Sequence, residues 1–347
     1  MRADRIIQQM KTALSEIIFK SESFLDYIVT KKLFRLFAIS ICCITAFIFR
    51  LLVIRYKPPT PDDFPALHAA AQEFIAGNNV YAVFGTTAYT SKPALHLYLS
   101  AALYIISTIV GAPHLTITHY FLFCMDILTG LVIYKILNNG QFWNSFLGLA
   151  IWVFNPFVLN SSTNAKYEVV MLLFLLLAFI WLEKGNEIEA TILFTISAMI
   201  KPVPILILPI FLYKSRNRVR NLLIIIGLFL ILSLPFLLTP FDYFQSLTYN
   251  VFGRGPAGHP GYGIFGQVQR PYSTIVSAIS LCLMLILVYI KFRRFDIYLI
   301  SFLVFIVAIS FYWITFKQYF VWSVPFFIIT ILKNLKFKKE IDDKTNL

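Results

Sequence analysis

Residues 160–181 read NSSTNAKYEVVMLLFLLLAFIW, and this stretch decides the fold. Asparagines, serines and a lysine form a polar mouth. Beyond Glu168 no charge appears through Trp181. A segment apolar over its whole circumference belongs in a large core or in lipid. Similar runs lie near 33–54, 93–110, 119–137, 142–159, 188–200, 203–213, 221–239, 273–291, 297–313 and 320–332. Several fall short of the roughly 20 residues that a perpendicular span needs. The pair 188–200 and 203–213, divided by Lys201-Pro202, reads as a broken or re-entrant element.

Composition settles what surrounds these runs. The 347 residues are 59% hydrophobic and 14% charged, with a mean hydropathy of +0.75. Soluble domains carry about 25% charged residues. One soluble core cannot hide this much apolar surface, whereas a bilayer acts as solvent for outward faces. The sequence therefore predicts an all-α, polytopic transmembrane protein with about eight to ten membrane segments.

The formal charge of +13 does not indicate nucleic-acid binding, because no separate basic domain exists. Lys and Arg gather in short clusters instead: residues 2–35, Lys214 to Arg220, Lys291 to Arg294, and Lys333 to Lys344. Such clusters mark cytoplasmic loops and suit anionic lipid headgroups. The expected organisation is a cytoplasmic N-terminal segment 1–32, a transmembrane domain 33–332 and a cytoplasmic tail 333–347. An external loop 55–92 and a second at 240–272 complete it. Residues 6–19 look amphipathic. No cleavable signal peptide is visible, and the first apolar run would act as a signal anchor. Cys42, Cys43, Cys124 and Cys282 all lie within apolar runs, at spacings that suggest small buried side chains rather than zinc or a redox pair.

The polar intervals hold the candidate chemistry. Asp62 and Asp63 open the loop PPTPDDF; adjacent carboxylates there would serve as a base toward a hydroxyl, as a divalent-metal site, or as solvated charge. A helix, ALHAAAQEFIAG, follows, with Gly77 and Asn78 as terminators and Leu67, Ala70, Phe74 and Ile75 on its apolar face. Glu168 is either a substrate ligand or a charge satisfied at a helix start. Asp126 sits deeper and demands a partner. Lys201 would hold an anionic phosphate or snorkel to a headgroup. The glycine-rich stretch 250–272, with Arg254, His259 and Arg270, reads as a plain connector or as a cationic clamp for a lipid phosphate. His68 and His96 read as polar surface residues.

Four segments together resemble the polytopic membrane glycosyltransferases of the GT-C superfamily, closest to a bacterial mannosyltransferase-like group related to the GPI mannosyltransferases. They are DDFPALHAAAQEFIAGNNVYAVF; FNPFVLNSSTNAKYEVV; ISAMIKPVPILILPIFLYKSR; and FKQYFVWSVPF, with Lys317, Tyr319, Trp322 and Pro325. At the second, many relatives have Gly-Gln-Asn/Phe-Asp at the turn, and this chain has Asn-Ala-Lys-Tyr-Glu there. Near 89–98, YTSKPALHLY replaces the relatives' Tyr-Pro-Pro.

The resemblance implies a GT-C fold in the cell membrane. It also implies transfer of a hexose, with mannose the first candidate, from a polyprenyl-phosphate or dolichyl-phosphate sugar. The acceptor would be a glycan or lipid-linked hydroxyl on the external face. Asp63, supported by Asp62, would activate that hydroxyl. Glu168, Lys201, Arg254, Arg270, Lys317 and Tyr319 would bind substrate, and the cations would stabilise the departing phosphate. A divalent metal is compatible with this arrangement but is not required. The rival readings are a transporter or flippase of lipid-linked substrates, which broken helices also suit, and a catalytically silent assembly subunit.

Overall fold

The structure is a computed structural model that describes residues 32–56, 64–84, 92–138, 141–237, 242–244, 272–311 and 317–333. Side chains at 272–278, 311, 317 and 318 fall outside that description. Every regular element among the described residues is helical. The long apolar helices are α1 (Lys32–Tyr56), α5 (His114–Leu137) and α11 (Arg218–Ser233), which 3-10 geometry extends to Phe236. Between α1 and α5 lie α2 (Phe64–Ile75), α3 (Val80–Phe84) and α4 (Ala94–Val110). Then come α6 (Phe142–Val153), α7 (Pro156–Thr163), α8 (Glu168–Glu183), α9 (Glu187–Ile200) and α10 (Leu208–Lys214). Helix α12 (Tyr272–Phe292), α13 (Ile297–Phe311) and α14 (324–333) close the chain.

Among the described residues, α1, α5 and the extended α11 are long and apolar enough to cross a membrane, and the bent pair α6–α7 makes a fourth candidate. Helix α1 turns Leu36, Phe37, Ile41, Ile44, Ile48 and Leu52 outward. A face of that composition is stable only against lipid, which confirms the polytopic all-α reading.

Helix α8 is the axis of the core. Val169, Met171, Leu172, Leu175, Leu176 and Phe179 are all buried, so the 160–181 stretch is enclosed by protein rather than by lipid. Helices α8 and α9 run antiparallel around the turn 184–186, where Gly185 takes φ +81°. The Ser197 hydroxyl donates to the Met171 carbonyl at 2.7 Å across this pair. Helices α5 and α6 approach closely at Gly130, where a Cβ would lie 2.8 Å from the Leu149 side chain.

Four expectations change. The apolar run 142–159 is two helices bent by 47°, together a broken or re-entrant candidate span rather than one continuous helix. Pro156 cannot donate, and Asn155 instead caps α7, its side chain accepting from the Phe157 amide at 2.9 Å. Helix α2 buries Ala66, Ala70 and Ala71, while Ile75 is exposed. Cys124 and Cys282 face outward, whereas Cys42 is buried. His96 is buried and His68 half-buried. The N-terminal stretch 6–19 lies outside the described residues.

The basic clusters converge on one end of the bundle. Glu187 accepts from the Arg216 and Asn217 amides and from Arg220 Nη2, the last at 3.0 Å. Lys214 Nζ donates to the Phe295 carbonyl at 2.7 Å. Lys333 reaches Asp296 at 3.2 Å and Glu183 at 3.8 Å. The 214–220, 295–296 and 333 regions therefore share a face.

Candidate active site

The opposite end holds the other chemistry. Helix α8 begins there and α9 ends there, because their connecting turn is at the basic end. Pro202 stops α9, and Lys201 is extended at φ −151°, ψ 132°. At the start of α8, Ala165 takes φ +54°, a left-handed conformation that favours glycine. This turn delivers Glu168 to Lys201, and the two form a hydrogen-bonded ion pair.

The surroundings of the pair are asymmetric. The Glu168 side chain is 1% exposed and that of Lys201 16%. Glu168 also lies in the first turn of α8, where the helix dipole favours negative charge, and Lys166 adds a nearby positive charge. The Lys201 ammonium lies 5.3 Å from the Tyr319 ring centroid and 5.5 Å from that of Trp322. These rings stack on one another at 4.3 Å and 21°. Electron-rich ring faces attract the cation, so the ammonium is fixed from two sides.

Breaking a helix inside a bundle exposes backbone groups that must find partners. Here side chains supply them. His96 Nδ1 bonds the Ile200 carbonyl at 3.1 Å, and a carbonyl only accepts, so Nδ1 carries the proton. The Tyr289 hydroxyl donates to the Leu206 carbonyl. The His96 ring also packs on Tyr167 at 4.4 Å. His96 thus touches the residue before Glu168 and the residue before Lys201, and its expected place on the surface is corrected.

Asp126 has the partner that its depth demands. Arg50 on α1 gives it Nε at 2.9 Å and Nη2 at 2.6 Å. Arg50 also serves the Ala46 carbonyl and the carbonyl of Val153, the last residue of α6 before the bend. Trp152 Nε1 donates to the Asp126 carbonyl at 2.9 Å.

Of the substrate-binding candidates, the structure brings together Glu168, Lys201 and Tyr319. Lys317 lies on the same 3-10 segment as Tyr319, Lys317–Trp322. Asp62, Asp63, Arg254 and Arg270 lie outside the described residues. Helix α2 starts at Phe64, the residue after Asp63, and its His68 meets His114 of α5 at 3.0 Å between Nδ1 atoms. Among the described residues no three His, Cys, Asp or Glu side chains are grouped to hold a metal. The sequence reading missed Arg50, placed His96 at the surface, and named Trp322 only within the FKQYFVWSVPF likeness without giving it a role. An arginine inside the first apolar run was the available signal for Arg50, and the quoted FKQYFVWSVPF segment contained Trp322.

Comparison with known proteins gives a family. The model of glycosyltransferase family 87 matches residues 80–318, a segment that includes His96, Glu168 and Lys201. The chain is 30% identical over 169 residues to GPI mannosyltransferase 1 of Saccharomyces cerevisiae, covering 48% of this chain and 39% of that protein. It is 32% identical over 97 residues to GPI mannosyltransferase 1 of Candida albicans, covering 27% and 24%. The chain thus spans well under half the length of either relative. With the family match covering more than two-thirds of an all-α membrane chain, and with a polar corner gathered at one end of its core, this protein belongs to glycosyltransferase family 87.

Proposed function

We propose that this chain transfers a hexose, mannose first among the candidates, from a polyprenyl-phosphate sugar to a glycan or lipid-linked hydroxyl on the external face of the cell membrane. The observation that carries this reading is the Glu168–Lys201 pair set beside Tyr319 and Trp322, at the end of the bundle away from the basic clusters. The more exposed member of the pair is the ammonium. A phosphate leaving group needs charge stabilisation more than protonation, and Lys201 supplies it, with Arg254 and Arg270 as further candidates. Asp63, supported by Asp62, takes the proton of the acceptor hydroxyl as that oxygen attacks the anomeric carbon. The sugar–phosphate bond breaks in the same displacement, and the configuration inverts.

The experiment is incubation of the purified chain with lipid-phosphate sugars and candidate acceptors, followed by mass analysis of the products. Transfer should fall by roughly 100-fold or more in Asp63→Asn, with membrane insertion intact and a smaller loss in Asp62→Asn. Near-normal turnover in the double Asn variant would remove that loop from the chemistry. The broken α9–α10 element also suits a transporter. Flux of a lipid-linked sugar across vesicles without any new glycosidic product would establish that reading instead.

A further inference from the structure

We propose that the indole N–H of Trp322 contacts substrate directly and donates to an oxygen of the phosphate held at Lys201. This inference rests on the reading that Lys201 faces the donor phosphate.

Trp322 is 6% exposed, and its Nε1 has no hydrogen-bond partner among the described residues. A buried indole N–H normally finds an acceptor. Trp152 in the same core does so, giving its N–H to the Asp126 carbonyl at 2.9 Å. Trp322 Nε1 is one of eight buried side-chain polar atoms without a partner among the described residues, and of the two buried tryptophans it is the unsatisfied one. It occurs beside the Lys201 ammonium, 5.5 Å from the Trp322 ring centroid.

The ring has little freedom to turn its N–H elsewhere. Tyr319 stacks on it at 4.3 Å, and Phe305 lies 6.4 Å away at 58°. Lysine and tryptophan side chains only donate hydrogen bonds. The carboxylate of Glu168, the acceptor of this corner, is buried against Lys201. Trp322 Nε1 is closed off in this structure; a ligand oxygen admitted beside Lys201, whose side chain is 16% exposed, would meet a cation and a fixed N–H and must be an acceptor. An anionic phosphate oxygen satisfies both at once. The phosphate of a lipid-linked sugar and that of a bulk phospholipid share this chemistry, so the test must separate them.

The test is binding to the purified full chain by native mass spectrometry, with three probes: polyprenyl phosphate, the uncharged polyprenol, and phosphatidylglycerol. Four proteins are compared: wild type, Trp322→Phe, Trp322→His and Lys201→Met. Phenylalanine keeps an aromatic ring without a donor, and histidine restores a ring N–H. Trp322→Phe should weaken polyprenyl phosphate about tenfold, leave polyprenol unchanged, and recover part of the loss as Trp322→His.

Wild-type affinity in Trp322→Phe alongside weakened Lys201→Met would overturn this inference while leaving the reading of Lys201 standing. Wild-type affinity in both variants would overturn both. Equal weakening toward polyprenol would reduce Trp322 to a packing residue. A loss as large for phosphatidylglycerol would make the corner a bulk-lipid headgroup site and sink the assignment to substrate.

Discussion

Arg50 holds Asp126 through two nitrogens on a single carboxylate oxygen, Oδ2, at 2.9 and 2.6 Å, and both side chains are 0% exposed. Asp126 Oδ1 has no partner among the described residues. The guanidinium also satisfies the Val153 carbonyl, which the bend before Pro156 leaves without a helical partner. One arginine therefore joins α1, α5 and the break between α6 and α7.

Removal of either member should destabilise the bundle. Asp126→Leu leaves a buried cation and Arg50→Met a buried anion, each costing about 3–5 kcal/mol. The double variant Arg50→Met/Asp126→Leu should recover part of that loss, since no charge is stranded. Thermal denaturation in detergent reads the three variants. Wild-type stability in both single variants would show the pair to be dispensable.

Lys201 and Glu168 should behave as one unit in transfer. Lys201→Met is expected to lower kcat/KM for the lipid-phosphate donor by roughly tenfold or more, from the lost charge-assisted hydrogen bond. Glu168→Gln should also lower it, because Lys201 loses its anchor. The double variant should lose less than the product of the two single effects. Steady-state kinetics at varied donor concentration measures the coupling, and simple multiplication of the effects would rule it out.

His96 should matter through position rather than contact with substrate. His96→Leu strands the Ile200 carbonyl and should cost about 1–3 kcal/mol. It should also lower kcat, since the lysine after Ile200 loses its fixed place. His96→Asn keeps an N–H donor and should restore part of both. If stability falls in His96→Leu while kcat is unchanged, the bond to Ile200 only holds the fold.

Orientation can be read by cysteine labelling in a background lacking the four native cysteines. Ala76→Cys, exposed beyond α2, should react with an impermeant maleimide on intact cells. Val219, 71% exposed in the basic region, should react as cysteine only after permeabilisation. Ser215 is a poor probe site because it is buried. The reverse pattern would invert the proposed topology, and equal protection of both positions would sink it.

Much of the architecture was legible because its causes are local. Lys201-Pro202 ends a helix wherever it stands, since proline removes a donor and blocks the preceding turn. Gly77 terminates α2 at φ +82° for an equally local reason. The bend at Asn155-Pro156 was written in the same terms, yet the apolar run across it concealed it. Asp126 announced a need for a partner by its depth alone, and nothing near it in sequence named Arg50, 76 residues away.

By itself, then, the sequence determined that this is an all-α membrane chain, which residues end its helices, and which segments carry excess positive charge. Those properties follow from composition and from neighbours along the backbone. Tertiary structure alone decided that Glu168 pairs with Lys201, 33 residues on, and that His96 bonds Ile200 across 104 residues. It also decided that Tyr319 and Trp322 sit beside the same ammonium. The physical reason is the antiparallel packing of α8 on α9. It returns two helix ends to one place, where low polarity obliges each buried charge and each freed carbonyl to find a partner from a distant part of the chain.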